Sequence, residues 1–155
     1  MKRKEKLIGW LEESHQNIEK LVSQVDQKLE IYPGWTIREI LAHFTGWDDA
    51  VITSLKSHAV GGVPTVVAEG DHNFHNTTTL AQREVFSFER IYQDWQQTHE
   101  QLKIAIRDLP PGKIEAQFVF PWGQTGNIED LVIGLTTEHE MSHMQDIRAL
   151  LQKDK

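Results

Sequence analysis

The chain has 155 residues, 39% of them hydrophobic and 25% charged, with a formal net charge of −7. One core of that size buries most of the surface its unfolded chain exposes, so a single domain over residues 1–155 is expected. The acidic balance argues against a general nucleic-acid binder, and the absence of cysteine excludes disulfides, thiolate metal sites and a cysteine nucleophile.

The start, Met1-Lys2-Arg3-Lys4-Glu5-Lys6, is basic, but Leu7-Ile8-Gly9-Trp10-Leu11 runs straight into Glu12-Glu13. No apolar stretch there reaches the length of a secretory core, and none elsewhere could span a bilayer, so a cytoplasmic protein is expected. From Lys6 to Leu29 the residues Leu11, Ile18, Val22, Val25 and Leu29 draw the stripe of an amphipathic helix. Ile31-Tyr32-Pro33-Gly34-Trp35 breaks it. Thr36 then opens a second helix, with Glu39 completing a capping box and Ile37, Ile40, Leu41, Phe44, Trp47 and Val51 on its apolar face. So short a break predicts that these two helices lie antiparallel.

Residues 58–78 hold Gly61-Gly62, Pro64, Gly70, Asn73 and Asn76 without a sustained period and read as a loop, with extended backbone at Val66-Val67. A third helix is predicted from Ala81 to Leu109, where Val85, Phe88, Tyr92, Trp95, His99 and Leu102 keep a three-four alternation until Pro110-Pro111-Gly112. Phe118-Val119-Phe120 reads as a short strand. Asn127 is an N-cap with Glu129 and Asp130 in the first turn, opening a fourth helix that runs to about Leu151. The sum is an all-α antiparallel four-helix bundle with long connections between helices two and three and between three and four.

Eight histidines leave imidazole and carboxylate as the strong ligands to seek. In His139-Glu140-Met141-Ser142-His143 two histidines stand one turn apart on one side of a helix and can reach one ion. The same five residues spell H-E-x-x-H, the zinc-peptidase signature. Its context is missing: no histidine follows, Asp146 and Asp154 are poorly spaced as a third ligand, and no sheet edge stands ready for a peptide. Glu140, one step along the helix from its neighbour, is left without a role. His43 lies mid-helix beside the apolar stripe, where a partner is needed, be it a metal shared with helix four, a carboxylate or a water. His15 and His99 occupy regular slots in apolar stripes and are read first as hydrogen-bonded core residues, with lining a pocket or supplying a proton as the alternative. His72 and His75 fall in the loop and are read as solvent-facing unless that loop folds over the site; His58 carries no signal.

These residues resemble a known family. Gly34-Trp35-Thr36-Ile37-Arg38-Glu39-Ile40-Leu41-Ala42-His43-Phe44-Thr45-Gly46-Trp47 resembles the helix-two signature of the DinB/YfiT-like superfamily, closest to its ClbS/DfsB-like branch. Thr137 to Ile147 resembles that superfamily's last-helix motif, and Asp71 to Arg83 and Pro121-Trp122-Gly123 are also similar to the branch. The likeness spans nearly the whole chain and implies an up-down-down-up four-helix bundle. It also implies a Zn²⁺ or Ni²⁺ ion held by His43, His139 and His143. The activities it implies are thiol-dependent transfer or isomerisation with a low-molecular-weight thiol, or hydrolysis of a reactive metabolite. The expected protein is therefore a metal-dependent enzyme acting on a small reactive or electrophilic compound, with Trp47 and Trp122 as walls of its pocket. The rival expectations are a non-catalytic protein that sequesters a toxic metabolite or metal, and a structural metal in a protein–protein module. Neither nucleic acid nor membrane is an expected partner; a homodimer is compatible with the resemblance.

Overall fold

The computed structural model describes residues 2–68 and 72–153, so Gly70, Asp71 and Asp154, named above, lie outside the described residues. Helix α1 spans Lys2–Val22, α2 Ile37–Ala59, α3 Asn73–Gln82 and α4 Phe88–Arg107. The last helical run is built from α5, Ile128–Ile133, a π-helical segment, Gly134–Glu140, and α6, Met141–Lys153. Strands β1, Phe118–Val119, and β2, Thr125–Gly126, pair antiparallel with Phe118 opposite Gly126. Among the described residues no helix is long and apolar enough to cross a membrane.

Side-chain contacts fix the helix directions. Lys4 Nζ donates to the carbonyls of Arg107 and Leu109, while Glu19 accepts from Tyr92 and Gln96, so α1 and α4 are antiparallel. Arg3 pairs with Glu129 and Ser14 with Glu140, so α1 runs parallel to the last run. Arg38, at the start of α2, donates to the carbonyls of Arg83, Glu84 and Phe86 just ahead of α4, and Leu55 clusters with Ile106 near the far ends. Helices α2 and α4 are therefore parallel. The order is up-down-down-up, an all-α bundle of the expected class.

Three helix limits differ from the periodicity. Helix α1 starts at Lys2 and stops at Val22, because Ser23 Oγ turns back to the Lys20 carbonyl at 2.6 Å and Asp26 takes the Lys28 N–H at 2.8 Å. Val25 stays buried all the same, so its place in the stripe recorded burial rather than winding. The predicted third helix is two. Arg38 occupies carbonyls between Arg83 and Phe86, Ser87 Oγ accepts the Arg90 N–H to cap α4, and Val85 is left 88% exposed. The predicted loop likewise gives way to α3 from Asn73 onward. Within the last helix, Thr136 Oγ1 donates to the Val132 carbonyl at 2.7 Å, competing for an acceptor of the regular ladder where the π winding runs.

Helix α3 lies on α2 at Gly46, where a Cβ would overlap the Thr79 side chain. Arg83 with Asp49 (2.9 Å) and Trp47 Nε1 with Asn76 Oδ1 (2.9 Å) hold it there.

The apolar core is split in two. One cluster gathers Leu7, Leu11, Val51, Leu55, Ile106 and Leu131; the other gathers Ile18, Ile40, Phe44, Ile91, Trp95 and Met144. Each long helix passes from one cluster to the other, and at the crossing each carries buried polar residues. These are Ser14 and His15 on α1, His43, Thr45 and Asp48 on α2, Thr98 and His99 on α4, and Thr136 and Glu140 on the last run. A polar belt thus crosses the middle of the bundle. Buried polar groups need partners, so the belt is where to look for chemistry.

Candidate metal centre

One end of the belt lies between α2 and the last helical run. The capping box of α2, in which Glu39 accepts the Thr36 N–H at 2.8 Å, sets the phase that turns His43 inward. His43 Nε2 and His139 Nε2 stand 2.8 Å apart, and the ring of His143 is centred 5.0 Å from each of theirs, nearly perpendicular to both. Donor atoms of the three fall within 4.8 Å of one another, a spread that one ion with metal–nitrogen bonds of about 2.0–2.1 Å spans after small ring rotations.

Protonation favours ligation as well. Burial, with the neighbouring imidazoles, pushes His43 down to about 2, and burial with His143 pushes His139 down to about 3. Burial also lowers His143. All three are therefore neutral at pH 7, the form that binds metal. The third ring has its tautomer fixed. Tyr32 Oη donates to Asp146 Oδ2 at 2.5 Å, which leaves the phenol oxygen only as an acceptor toward His143 Nδ1 at 2.8 Å. Nδ1 must then carry the hydrogen, and Nε2 keeps its lone pair for the centre. His43 Nδ1 is buried without a hydrogen bond, and the Asn76 side chain acts weakly on it, against the effect of burial.

Glu140 faces the other way. Its Oε1 accepts from Ser14 Oγ at 2.6 Å, deep in the belt, and burial raises its pKa. Asp48 is buried beside it with Oδ1 unpartnered, and burial plus the Glu140 charge raise it well above the carboxylate range. The H-E-x-x-H spelling therefore does not aim a base at the histidines.

Two cavities meet at the triad, both lined by His72 and His139. One, of about 320 Å³, has Trp47, Trp122 and Leu135 as walls and Gln124 and Glu138 at its side. The other, of about 420 Å³, opens past Tyr32, Trp35 and Asn76 to His43 and His143. The loop reading of His75 needs correction, since it lies in α3 and packs on Trp47 with ring centroids 4.4 Å apart. His72, just ahead of α3, is exposed as expected but stands at the edge of both cavities. No periodic signal marks Tyr32, which sits in the helix break, and Asp146 drew notice only as a failed peptidase ligand.

The other buried histidines are accounted for. His15 stacks between Trp95 and His99, with centroids 4.0 and 3.8 Å away, and its Nε2 meets Gln96 Oε1 at 2.7 Å. His99 Nε2 meets Glu12 Oε1 at 3.1 Å. Glu12, His99 and Glu100 bring three donors together, but the Lys103 ammonium bonds to both carboxylates and already fills the cation's place. His58 stacks on Phe118 and bonds to the Lys113 carbonyl.

Comparison with known proteins agrees with this architecture. The sequence profile of the family described as the mycothiol maleylpyruvate isomerase N-terminal domain matches residues 11–148. Among solved structures, the crystal structure of the mycothiol-dependent maleylpyruvate isomerase superposes with a TM-score of 0.76 at 15% identity, covering 93% of this chain and 60% of that one. A histidine-to-alanine mutant of it superposes with a TM-score of 0.75 at 13% identity and the same coverage. The chain thus spans 60% of the length of these solved chains, and the likeness is one of fold. No functionally curated protein matches the chain. The chain belongs to the mycothiol maleylpyruvate isomerase N-terminal domain family, within the DinB/YfiT-like superfamily.

Proposed function

We propose, from the premise of that family membership, that residues 1–155 form one metal-dependent domain that acts on a small electrophile with a low-molecular-weight thiol as cosubstrate. The observation that carries the reading is the convergence of His43, His139 and His143 at the junction of two cavities. Relatives in this fold are mycothiol-dependent and act on maleylpyruvate, which supports a thiol and a small compound here. The cytoplasm, where such thiols stay reduced, is the compartment this chemistry needs.

The three imidazoles would hold one divalent ion, Zn²⁺ or Ni²⁺, through nitrogen ligands suited to both. When bound, such an ion supplies Lewis acidity and favours the deprotonated form of a thiol or water beside it. The rest falls to the chain's own residues. His43 and His139 are kept neutral by burial, and Tyr32 with Asp146 holds His143 in one tautomer. Trp47 and Trp122, with ring centroids 6.1 Å apart, cover one approach with indole faces and limit water there. Asn76 is held by the Trp47 indole N–H and lines the second approach.

The test is turnover. Protein loaded with Zn²⁺ or Ni²⁺ should consume a small electrophile in the presence of a thiol, and chelated protein should not. Stoichiometric uptake of the electrophile without turnover, with either metal and a panel of thiols, would instead favour sequestration.

A further inference from the structure

Resting on the reading of this site as one for a small electrophile, we infer that the compound it takes is uncharged and flat, a conjugated ester or ketone rather than a dicarboxylate. The cavity lined by Trp47 and Trp122 holds about 320 Å³, room for a compact molecule laid against an indole. Neither this cavity nor its neighbour is lined by a lysine or arginine among the described residues. The charged side chain that the aromatic cavity does present is the carboxylate of Glu138.

The cations on the adjoining elements are engaged elsewhere. Arg83 is bound to Asp49 and the Thr79 carbonyl, and Arg38 to Glu39 and the backbone ahead of α4. A carboxylate entering this slot would shed water without gaining a charged partner. It would also meet an indole π-surface and the Glu138 carboxylate. A single metal ion shared with a thiol could neutralise one such charge at the triad but not a second one in the slot. A neutral carbonyl meets none of these penalties. Trp122 Nε1 donates to Gln124 Oε1 at 2.8 Å, so the amide hydrogens of Gln124 are its remaining hydrogen-bonding group, a donor suited to a carbonyl oxygen.

The probes are dimethyl maleate and maleate, which share a carbon skeleton and differ by two charges. The chain has no cysteine to react with either. Binding is read by quenching of tryptophan fluorescence in the metal-loaded protein and, in parallel, in the metal-free protein. The ester should saturate at a concentration at least about tenfold below maleate in both forms. The shift should fall by about tenfold in affinity with Trp122→Ala, and Gln124→Lys should draw maleate to within reach of the ester. Maleate binding as tightly as the ester to the unmodified protein overturns the inference, as does ester binding that Trp122→Ala leaves unchanged. Preference for the ester in the metal-free protein keeps the inference standing even if the metal assignment fails, because the slot owes its preference to Trp122 and Glu138.

Discussion

The polar belt has two ends, and each buries histidines. Between α1 and α4, His15 and His99 lie stacked, their Nε2 atoms engaged by Gln96 and Glu12, with the Lys103 ammonium set against the same Glu12. Between α2 and the last run, His43 and His139 point Nε2 at one another, and His143 is turned toward them by Tyr32 and Asp146. Burial depresses the imidazoles at both ends. What separates them is whether the donor atoms already have a cation and acceptors of their own. Depth and a lowered pKa are common to both ends, so neither identifies a ligand set; convergence without a resident cation does.

That contrast can be broken most directly by removing ligands. His43→Ala and His139→Ala should each strip most of the metal from protein purified without chelator, read by metal stoichiometry. Retention of a full equivalent in either would move the site elsewhere. Tyr32→Phe should weaken metal affinity by about 10–100-fold while leaving the bundle folded, since it removes the acceptor that holds His143 in its ligating tautomer. Competition with a chelator measures it, and an unchanged affinity would reduce Tyr32 to packing.

At the other end, His99→Ala should cost about 1–3 kcal/mol of stability through the cavity it leaves beside the stacked His15 ring, with Glu12 still held by Lys103 and metal content intact. Thermal melting and metal analysis on the same sample separate the two effects. If this variant lost metal while His43→Ala kept it, the assignment of the two ends would be reversed.

The smallest expected effect is in pH. The depressed imidazoles bind fewer protons in the fold than in the unfolded chain, whose histidines titrate near about 6.5. Metal-free stability should therefore decline as pH falls below that value, through the range down to about 3 for His139 and about 2 for His43. Asp48 has the opposite sign. Its raised pKa keeps it protonated in the fold, so its contribution is present at low pH and is lost as pH rises above the ordinary carboxyl range. Asp48→Asn should raise the melting temperature at pH 8 more than at pH 5; an equal change at both would mean that Asp48 is not a buried, reluctant acid.

Much of this was legible beforehand. The apolar stripes, the Thr36 and Asn127 caps and the short break at Pro33-Gly34 carry local information, and the helices they announce are present. His139 and His143 stood out by spacing, His43 by its place beside an apolar stripe and by resemblance, and the three do come together. What stayed hidden depends on contacts distant in sequence. The end of α3 and the start of α4 are set by Arg38, more than 40 residues away in the chain. His75 reads as a loop residue until α3 is folded onto α2. The π winding over Gly134–Glu140 leaves no mark in a pattern judged by a period of 3.6.

The glycine beneath α3 has a consequence for the width of the opening above the histidines. Gly46 lets α3 settle on α2 so closely that a Cβ there would overlap the Thr79 side chain, and Asn76 and His75 ride on that helix against Trp47. The opening over the imidazoles is thus set in part by position 46, beneath Asn76 and His75. A methyl inserted there should push α3 away from α2 and widen that opening without replacing any residue that lines it.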